Sequence, residues 1–262
     1  MHSFLRTYAD AGADLQRPAE VAVVMPTILR ETLDEALGSI FTQDLAGRIQ
    51  VLLGIDGVPD LSILERACAG RPAHCVVQVL QPGYSTAARN DGLHRSGDGG
   101  SLRAALTLLA NSRYVAYLDD DNWYAPDHLR LMRSAISDAE WAYSLRWFVH
   151  PASRRPICVD TWESVGPDRG IYGERFGGFV DTNCLMVDKL ACPHATAWWN
   201  IAFPGDSRGR GSDRHVFAFL RAYHRPGHTA RPTVYYRIDA ADIMHGQRLL
   251  MMGTAYDAAG AK

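Results

Sequence analysis

The chain has 262 residues, with 27 Lys and Arg against 29 Asp and Glu and a formal net charge of −2 at pH 7. Hydrophobic residues make up 47% and charged residues 21%, which is ordinary for a globular protein and excludes a largely disordered or fibrous chain. Non-specific binding of nucleic acid needs an excess of basic residues, so we expect no nucleic acid partner. An anionic ligand would therefore have to be bound by a local group of residues and not by an overall positive charge.

The first half of the chain alternates short apolar runs with helical patterns. The apolar runs predict buried strands at 21–25, Ile49–Ile55, Cys75–Leu80 and 114–118. Helices are predicted at about 33–41, at 61–69, 86–94 and 101–109, and from Pro126 onward. Strands that alternate with helices predict a parallel sheet of βαβ units, in which ligands bind beyond the carboxyl ends of the strands.

Beyond about residue 140 the periodicity weakens. Strands are predicted at Trp141–Val149, 179–187 and 233–238, and a helix at 213–223. Residues 150–178 are rich in Gly, Pro and Arg and show little periodicity. The small and polar residues 254–262 are expected to fray.

Cysteines and membrane signals bear on the location of the protein. The five cysteines stand singly, without a CxxC pair, at Cys68, Cys75, Cys158, Cys184 and Cys192. We expect reduced, mostly buried thiols and a cytoplasmic location. The first residues lack the apolar stretch of a secretory signal, and no apolar run approaches the roughly 20 residues that span a bilayer. No integral membrane segment is expected, whereas peripheral membrane association and a homodimer stay open.

Three consecutive carboxylates, Asp119, Asp120 and Asp121, directly follow the fourth predicted strand. They repel one another unless positive charge lies among them. Mg²⁺ and Mn²⁺ prefer such hard oxygen ligands and bridge them to the phosphates of a nucleotide. A solvated acidic turn is the alternative for this motif taken alone.

Four separated motifs resemble the inverting glycosyltransferases of family 2. In chain order they are VAVVMPT at 21–27, IDG at 55–57, AARNDGL at 87–93 and LDDDNW at 118–123. The resemblance implies one GT-A domain over residues 1–262, an α/β, Rossmann-like fold with a mostly parallel sheet flanked by helices and a smaller mixed sheet on the acceptor side. It also implies a nucleotide-sugar-binding half at 19–140 and an acceptor-binding half with the catalytic base at 141–250.

The resemblance further implies which residues bind the donor. Pro26, Thr27 and Asp56 would contact the base and ribose of the nucleotide, and Arg89 would lie beside it. A carboxylate such as Asp56 can accept the imide N–H of uracil. An Asp-Gly turn is the alternative for Asp56 alone.

In the acidic triplet the resemblance implies three different roles. Asp119 would face the ribose, and Asp121 would be the direct ligand of Mn²⁺ or Mg²⁺. Asp120 takes the variable middle position, where it would contact the sugar or the metal.

The resemblance places the catalytic base at the start of a late helix, where the family has an acidic pair. Asp213 stands there, with Ser212 in place of the usual Glu. A helix N-cap is the alternative for Asp213. Asp181 is the competing base, or else a residue of the acceptor pocket.

Three further residues are candidate contacts of the acceptor or the phosphates. Trp199 could form a wall for the acceptor, His215 could complete the metal shell or touch phosphate, and Arg237 could grip the diphosphate. Residues 96–109 depart from the family pattern. Their Gly-Asp-Gly-Gly loop lacks the Lys of a phosphate-binding loop, so we expect a surface insertion.

The function implied is metal-dependent transfer of a sugar, with inversion, from a nucleotide-diphospho donor to a carbohydrate or other hydroxyl acceptor. A UDP-linked donor is expected. One alternative is a sugar nucleotidyltransferase, although the Gly- and Arg-rich phosphate loop typical of such enzymes is missing at 26–30. Another is a catalytically silent carbohydrate-binding relative, which the replacement at Ser212 would favour.

Overall fold

The computed structural model describes residues 5–58, 60–205 and 209–261. The strands in these ranges are β1 (Leu5–Tyr8), β2 (Val21–Thr27), β3 (Ile49–Ile55), β4 (Cys75–Leu80), β5 (Tyr114–Tyr117), β6 (Trp123–Tyr124), β7 (Trp141–Val149), β8 (Pro156–Val159), β9 (Gly166–Pro167), β10 (Gly178–Phe179), β11 (Leu185–Asp188) and β12 (Pro226–Arg237). The α-helices are α1 (Leu33–Phe41), α2 (Ser62–Ala69), α3 (Gly100–Leu109), α4 (His128–Ala135), α5 (Gly173–Phe176), α6 (Ala195–Trp198), α7 (Ser212–Tyr223), α8 (His245–Met252) and α9 (Thr254–Gly260).

One ten-stranded sheet runs through both halves of the chain. Its strand order is β1-β4-β3-β2-β5-β11-β7-β12-β6, with β8 paired to β7. Strands β4, β3, β2 and β5 are parallel, as are β7 and β12. Strand β11 lies antiparallel between β5 and β7 and so connects the two halves.

The α/β fold with a mostly parallel sheet, flanking helices and a smaller sheet is confirmed. The small separate sheet pairs β9 with β10, whereas the longer strands of the second half continue the central sheet. All seven residues of β3 are buried, as its unbroken apolar run predicts for a central strand covered on both faces. None of the helices described is both long and apolar enough to cross a bilayer.

Two predicted elements are wrong because local hydrogen bonds redirect the chain. Residues 86–94 form a short 3₁₀ turn at Ala88–Asn90, and the chain folds back so that the N–H of His94 donates to the Thr86 carbonyl at 3.0 Å. The strand predicted at 179–187 is divided by the 3₁₀ turn Thr182–Cys184. The Asp181 carboxylate accepts the Asn183 N–H there at 2.9 Å, which starts the turn.

Thr254–Gly260 form helix α9, so the prediction that this segment frays is wrong for these residues. Helix α9 places Ala259 in a buried position, and the Ser153 hydroxyl donates to the Ala259 carbonyl at 2.7 Å. Small side chains allow this close packing, which composition alone does not show. All five cysteines are free thiols, and four are buried while Cys158 is partly exposed, as expected.

Residues 96–109 are not a surface insertion. Helix α3 packs on the sheet: a Cβ atom at Gly54 in β3 would lie 3.0 Å from Leu106 Cδ1 and 3.1 Å from Leu102 Cβ. At its start, a Cβ at Gly100 would lie 1.9 Å from the Trp199 carbonyl oxygen at the end of α6. The segment fills space between the sheet and α6, because its apolar residues cover the buried central strands.

Candidate active site

The carboxyl ends of three neighbouring strands bring the donor motifs together. Thr27 ends β2, Asp56 follows β3, and the acidic triplet follows β5; these strands stand in the order β3-β2-β5. The hydroxyl of Thr27 donates to Asp120 Oδ2 at 2.6 Å, so two of the four motifs touch directly. This is the edge of an α/β sheet at which ligands bind.

Asp56 and Pro26 also have structural partners. The Asp56 carboxylate accepts the Thr86 N–H at 2.6 Å and the Ser85 hydroxyl at 2.8 Å, which fixes the loop after β4. Pro26 packs under Gly99, where a Cβ atom would lie 2.7 Å from Pro26 Cβ. Arg89 lies in the 3₁₀ turn, and its side chain is outside the described part of the structure.

The first carboxylate of the triplet is neutralised by the protein. Arg103 forms an ion pair with Asp119 Oδ1, and the Asn183 amide donates to Asp119 Oδ2 at 3.0 Å. The Asp119 N–H in turn donates to Asn183 Oδ1 at 2.6 Å. Asp119 is therefore held rigidly at the end of β5.

The middle carboxylate is neutralised as well. Asp120 is 1% exposed and is paired with Arg30 and the Thr27 hydroxyl. Burying a charge in this way requires an ion pair and hydrogen bonds. The geometry assigns Asp120 a structural role between β2 and β5.

Asp121 is the most exposed carboxylate of the triplet, ahead of Asp119, whose side chain is 30% exposed. The Asp121 side chain is 39% exposed, and Arg30 Nη1 lies 3.7 Å from its Oδ2. The Asn122 amide donates to Asp121 Oδ1 at 3.1 Å. Burial, and next the negative charge of Asp119, raise the Asp121 pKa to about 7. Such a carboxylate gains most from a nearby cation.

The carboxylates at this sheet edge fit a metal ion whose other ligands are phosphate oxygens. Among the described residues, no group of three or more His, Cys, Asp or Glu side chains could hold a metal ion. Mg²⁺ is commonly bound by one or two carboxylates together with substrate phosphates and water. Asp121 offers one such oxygen ligand, so the residues present fit a cation that arrives with a nucleotide.

A cavity of about 530 Å³ lies in the second half of the molecule. Aromatic side chains that line it are Tyr172, Phe179, Phe203 and Tyr236. Carboxylates that line it are Asp98, Glu163, Asp181, Asp213, Asp239 and Asp242. The Asn183 amide donates to both Asp181, at 2.8 Å, and Asp119, at 3.0 Å, so the cavity adjoins the sheet edge that carries the acidic triplet.

Asp213 lies in the first turn of α7, on the wall of this cavity. The N-cap of α7 is Gly211, without a side-chain hydrogen bond, so the alternative in which Asp213 caps the helix is wrong. Burial, and then the charges of Asp98 and Asp181, raise the Asp213 pKa to about 7. A carboxylate with a pKa near 7 can both accept and release a proton near neutral pH.

Asp181 is engaged elsewhere. Arg146, which is 0% exposed, donates to Asp181 Oδ2 at 2.7 Å and to Asp160 Oδ2 at 2.9 Å. Burial raises the Asp181 pKa, and the Arg146 charge opposes the rise. The fixed ion pair disfavours Asp181 as the base, while its position favours a part in lining the cavity.

The three remaining candidates fare differently. Trp199 is 1% exposed and packs on Tyr117 with ring centroids 4.8 Å apart, so the prediction that it contacts the acceptor is wrong. His215 lies beside Phe203 at 5.4 Å and donates to the Ala202 carbonyl at 3.3 Å, and it is not among the residues that line the cavity. The backbone N–H of Arg237 donates to Asn122 Oδ1 at 2.9 Å, and the Asn122 side chain in turn donates to Asp121, so Arg237 is linked to the acidic triplet through Asn122.

Sequence reasoning missed the cations and amide that hold the carboxylates. These residues are Arg30, Arg103, Arg146 and Asn183, and no motif marked them. Arg103 belongs to the segment that departs from the family pattern, which was the available signal. Their partners are far away in sequence, and the strand order alone brings them together.

No protein-family model and no curated protein matches this chain. Among solved structures, S. aureus TarS matches with a TM-score of 0.59 and 16% identity, covering 88% of this chain and 39% of that one. TarS 1–349 in complex with UDP-GlcNAc matches with a TM-score of 0.59 and 15% identity, covering 90% of this chain and 66% of that one. The complex of TarS 1–349 with UDP gives 0.56 and 16%, with 88% and 64% covered. The likeness shows a GT-A-like glycosyltransferase fold, and the chain spans well under half of the longer TarS chain.

Proposed function

We propose that this protein is a glycosyltransferase that transfers a sugar from a nucleotide-diphospho donor to a hydroxyl acceptor. The main support is the convergence of Thr27, Asp56 and Asp119 to Asp121 at one sheet edge, next to a cavity that holds Asp213. Structures of the same fold in TarS contain UDP and UDP-GlcNAc, which favours a UDP-linked donor. The four family 2 motifs favour inversion.

The donor occupies the edge formed by β3, β2 and β5. Asp56 and Thr27 lie where they can meet the base and ribose, and Asp119, held by Arg103 and Asn183, faces the ribose. Asp121 would hold a divalent cation together with the donor phosphates. Such a cation supplies positive charge that stabilises the leaving diphosphate.

The acceptor occupies the cavity, with its hydroxyl directed to Asp213. The ionised carboxylate takes the hydroxyl proton while the acceptor oxygen bonds to the anomeric carbon. The bond between that carbon and the diphosphate oxygen breaks, and the nucleoside diphosphate leaves with the electron pair. Attack opposite to the leaving group inverts the anomeric centre.

The test is nucleotide binding followed by turnover. Thermal shifts with UDP, GDP, CDP and dTDP, each with and without Mn²⁺, should show a Tm rise for one diphosphate, because a ligand that binds the folded state stabilises it. Incubation with the matching nucleotide sugars and a panel of sugar acceptors should release that nucleoside diphosphate. NMR of the product should show the inverted anomer.

Other outcomes point to the two alternatives. Release of pyrophosphate from a nucleoside triphosphate and a sugar phosphate would indicate a nucleotidyltransferase. Absence of any nucleotide shift, with carbohydrate binding retained, would indicate a catalytically silent relative. Asp257→Asn, which changes an exposed carboxylate on α9, should behave as the parent protein in every assay.

A further inference from the structure

Residues 96–109 lie between the donor edge and the base helix α7. The Gly97 N–H donates to the Gly209 carbonyl at 2.6 Å, just before α7. The Ser96 hydroxyl is 3.3 Å from the Trp199 carbonyl oxygen, and Gly99 packs against Pro26 at the end of β2. The segment therefore contacts both halves of the candidate site.

Arg103 is the residue of this segment that contacts the proposed donor-binding carboxylate Asp119. Its guanidinium is almost completely buried, with a side chain that is 6% exposed, and it forms an ion pair with Asp119. It also donates to the Asp98 carbonyl and lies 5.5 Å from the centre of the Trp199 ring. A buried guanidinium held by several partners has little freedom, so it fixes the direction of the Asp119 carboxylate.

Asp98 is the residue of this segment that contacts the start of α7, the helix with the proposed base Asp213. The Asp98 carboxylate accepts the Gly211 N–H at 3.3 Å and the Ser212 hydroxyl at 3.2 Å. These are the two residues that directly precede Asp213. The hydroxyl of Ser96 steadies Asp98 at 3.0 Å from the other side.

We propose that Asp98 and Arg103 are positioning residues of the reaction, which join the donor-binding carboxylate Asp119 to the start of the helix that bears the base Asp213. The inference rests on the proposed glycosyl transfer. Arg103 holds Asp119 through its side chain and Asp98 through the Asp98 carbonyl, and the Asp98 carboxylate holds the first turn of α7. The connection is made of fixed polar contacts, so it sets the separation of donor and base before substrates bind.

Asp98 also adds charge next to the base. Charged groups that interact electrostatically with Asp213 include Asp98, Asp181, Arg214 and Arg103. Titratable and charged groups that line the rest of the cavity are Glu163, Tyr172, Arg210, Tyr236, Asp239, Asp242 and Arg248. After burial, Asp98 is the foremost cause of the raised Asp213 pKa, and Arg214 opposes it. Loss of the Asp98 charge should therefore make Asp213 a weaker base that ionises at lower pH.

The central experiment is the pH profile of transfer by Asp98→Asn. The amide keeps an oxygen that can accept the Gly211 N–H and the Ser212 hydroxyl, and it removes the charge. We expect the acid limb of the kcat profile to move to lower pH by on the order of one unit, with the KM of the donor unchanged. Asp98→Glu keeps the charge but displaces it. We therefore expect a lower kcat, with the acid limb of the pH profile at the same pH as in the parent protein.

Arg103 is tested at the donor end. Arg103→Met removes the ion pair, so the donor KM should rise and kcat should fall, and Arg103→Lys should recover part of both. Arg130→Met is the matched control, since Arg130 forms a half-exposed ion pair with Asp44 on another face. Its kinetics should equal those of the parent protein.

The outcomes separate the two proposals. An active parent protein, with an Asp98→Asn profile in its original place and unchanged Arg103→Met kinetics, overturns the positioning role alone. A parent protein that binds no nucleotide and transfers no sugar overturns the glycosyltransferase proposal and this inference with it. If circular dichroism shows that Asp98→Asn does not fold, the kinetics of Asp98→Glu and Arg103→Lys decide whether Asp98 and Arg103 have the positioning role. Kinetics equal to those of the parent protein in both variants would overturn it.

Discussion

Asp121 and Asp213 share one physical condition. Each is a carboxylate in a partly dry site near other carboxylates, and each has a pKa raised to about 7. Their environments differ in what could relieve the repulsion. Asp121 is 39% exposed at the edge of the sheet, where a cation could bind it. Asp213 lines the cavity, where uptake of a proton would remove its charge.

Replacement of Asp213 by Asn should lower the rate of sugar transfer without weakening donor binding. Transfer should fall by about 10²–10⁴-fold, because the variant lacks the proton acceptor, while donor affinity stays unchanged. Measurements of kcat and of nucleotide binding by calorimetry check this. A variant that retains full transfer would show that Asp213 is not the base.

The same variant should unfold at a higher temperature than the parent protein at pH 8. The folded pKa of Asp213, about 7, lies above the usual value of 3.8, so the folded state binds more protons between these two values. Stability therefore falls as pH rises through this window and remains lower above it. The Tm advantage of Asn should shrink toward pH 4, where Asp213 is protonated in the folded state and nearly half protonated in the unfolded state. An equal Tm difference at both pH values would contradict the buried, repelled carboxylate.

Replacement of Asp121 by Ala should remove the effect of metal on nucleotide binding. With the parent protein we expect Mn²⁺ to tighten binding of a nucleoside diphosphate, and with the variant we expect equal affinity with and without Mn²⁺. Isothermal titration calorimetry measures both. If the variant retained the Mn²⁺ effect, the metal site would lie elsewhere.

At the scale of elements, α3 depends on a close fit to the end of α6. A Cβ atom at Gly100 would stand 1.9 Å from the Trp199 carbonyl oxygen and 2.2 Å from Ser96 Oγ. Gly100→Ala should therefore cost about 3 kcal/mol or more of unfolding free energy, because backbone has to move. Urea denaturation measures the loss.

A second glycine provides the matched control. Gly38 in α1 has no atom within 4 Å of a Cβ placed there. Gly38→Ala should stabilise the protein by about 1 kcal/mol, because alanine has the higher helix propensity. If both variants changed stability equally, the close fit of α3 and α6 would be refuted.

At the scale of the whole molecule, a buried charge network connects the strands of the second half. Arg146 of β7 pairs with Asp160, Glu163 and Asp181, and Arg248 of α8 pairs with Glu163 at 2.9 Å. Glu163, Asp181 and Arg248 of this network also line the cavity, so the network forms part of its wall. Its charges are desolvated and depend on one another.

Removal of Arg146 should destabilise the protein strongly. Arg146→Met leaves three carboxylates without their common partner, which should cost about 3–5 kcal/mol of unfolding free energy. Arg130→Met, at a half-exposed ion pair, should cost less than about 1 kcal/mol. Chemical denaturation of both variants tests this, and equal losses would contradict a buried network.

The sequence by itself determined strands β2, β3, β4, β5 and β7 of the central sheet, whereas it gave no sign of β1, β6 and β8. The bounds of β3, β4 and β7 were predicted to the residue, because unbroken apolar runs ended by turn residues are local signals. Three of the four motifs include or follow the carboxyl ends of β2, β3 and β5, and these strands are neighbours in the sheet. The same local signals wrongly predicted a helix at 86–94 and an unbroken strand at 179–187, because a few hydrogen bonds form turns in both segments.

Only the tertiary structure decided which charges remain available at the site. Arg30 reaches Asp120 across 90 residues, and Asn183 reaches Asp119 across 64, because β2, β5 and β11 are neighbours in the sheet. The sequence shows three equal carboxylates, whereas folding buries Asp120, pairs Asp119 with Arg103 and leaves Asp121 the most exposed of the three. Electrostatic interaction depends on distance and burial, which strand order sets and sequence separation does not reveal.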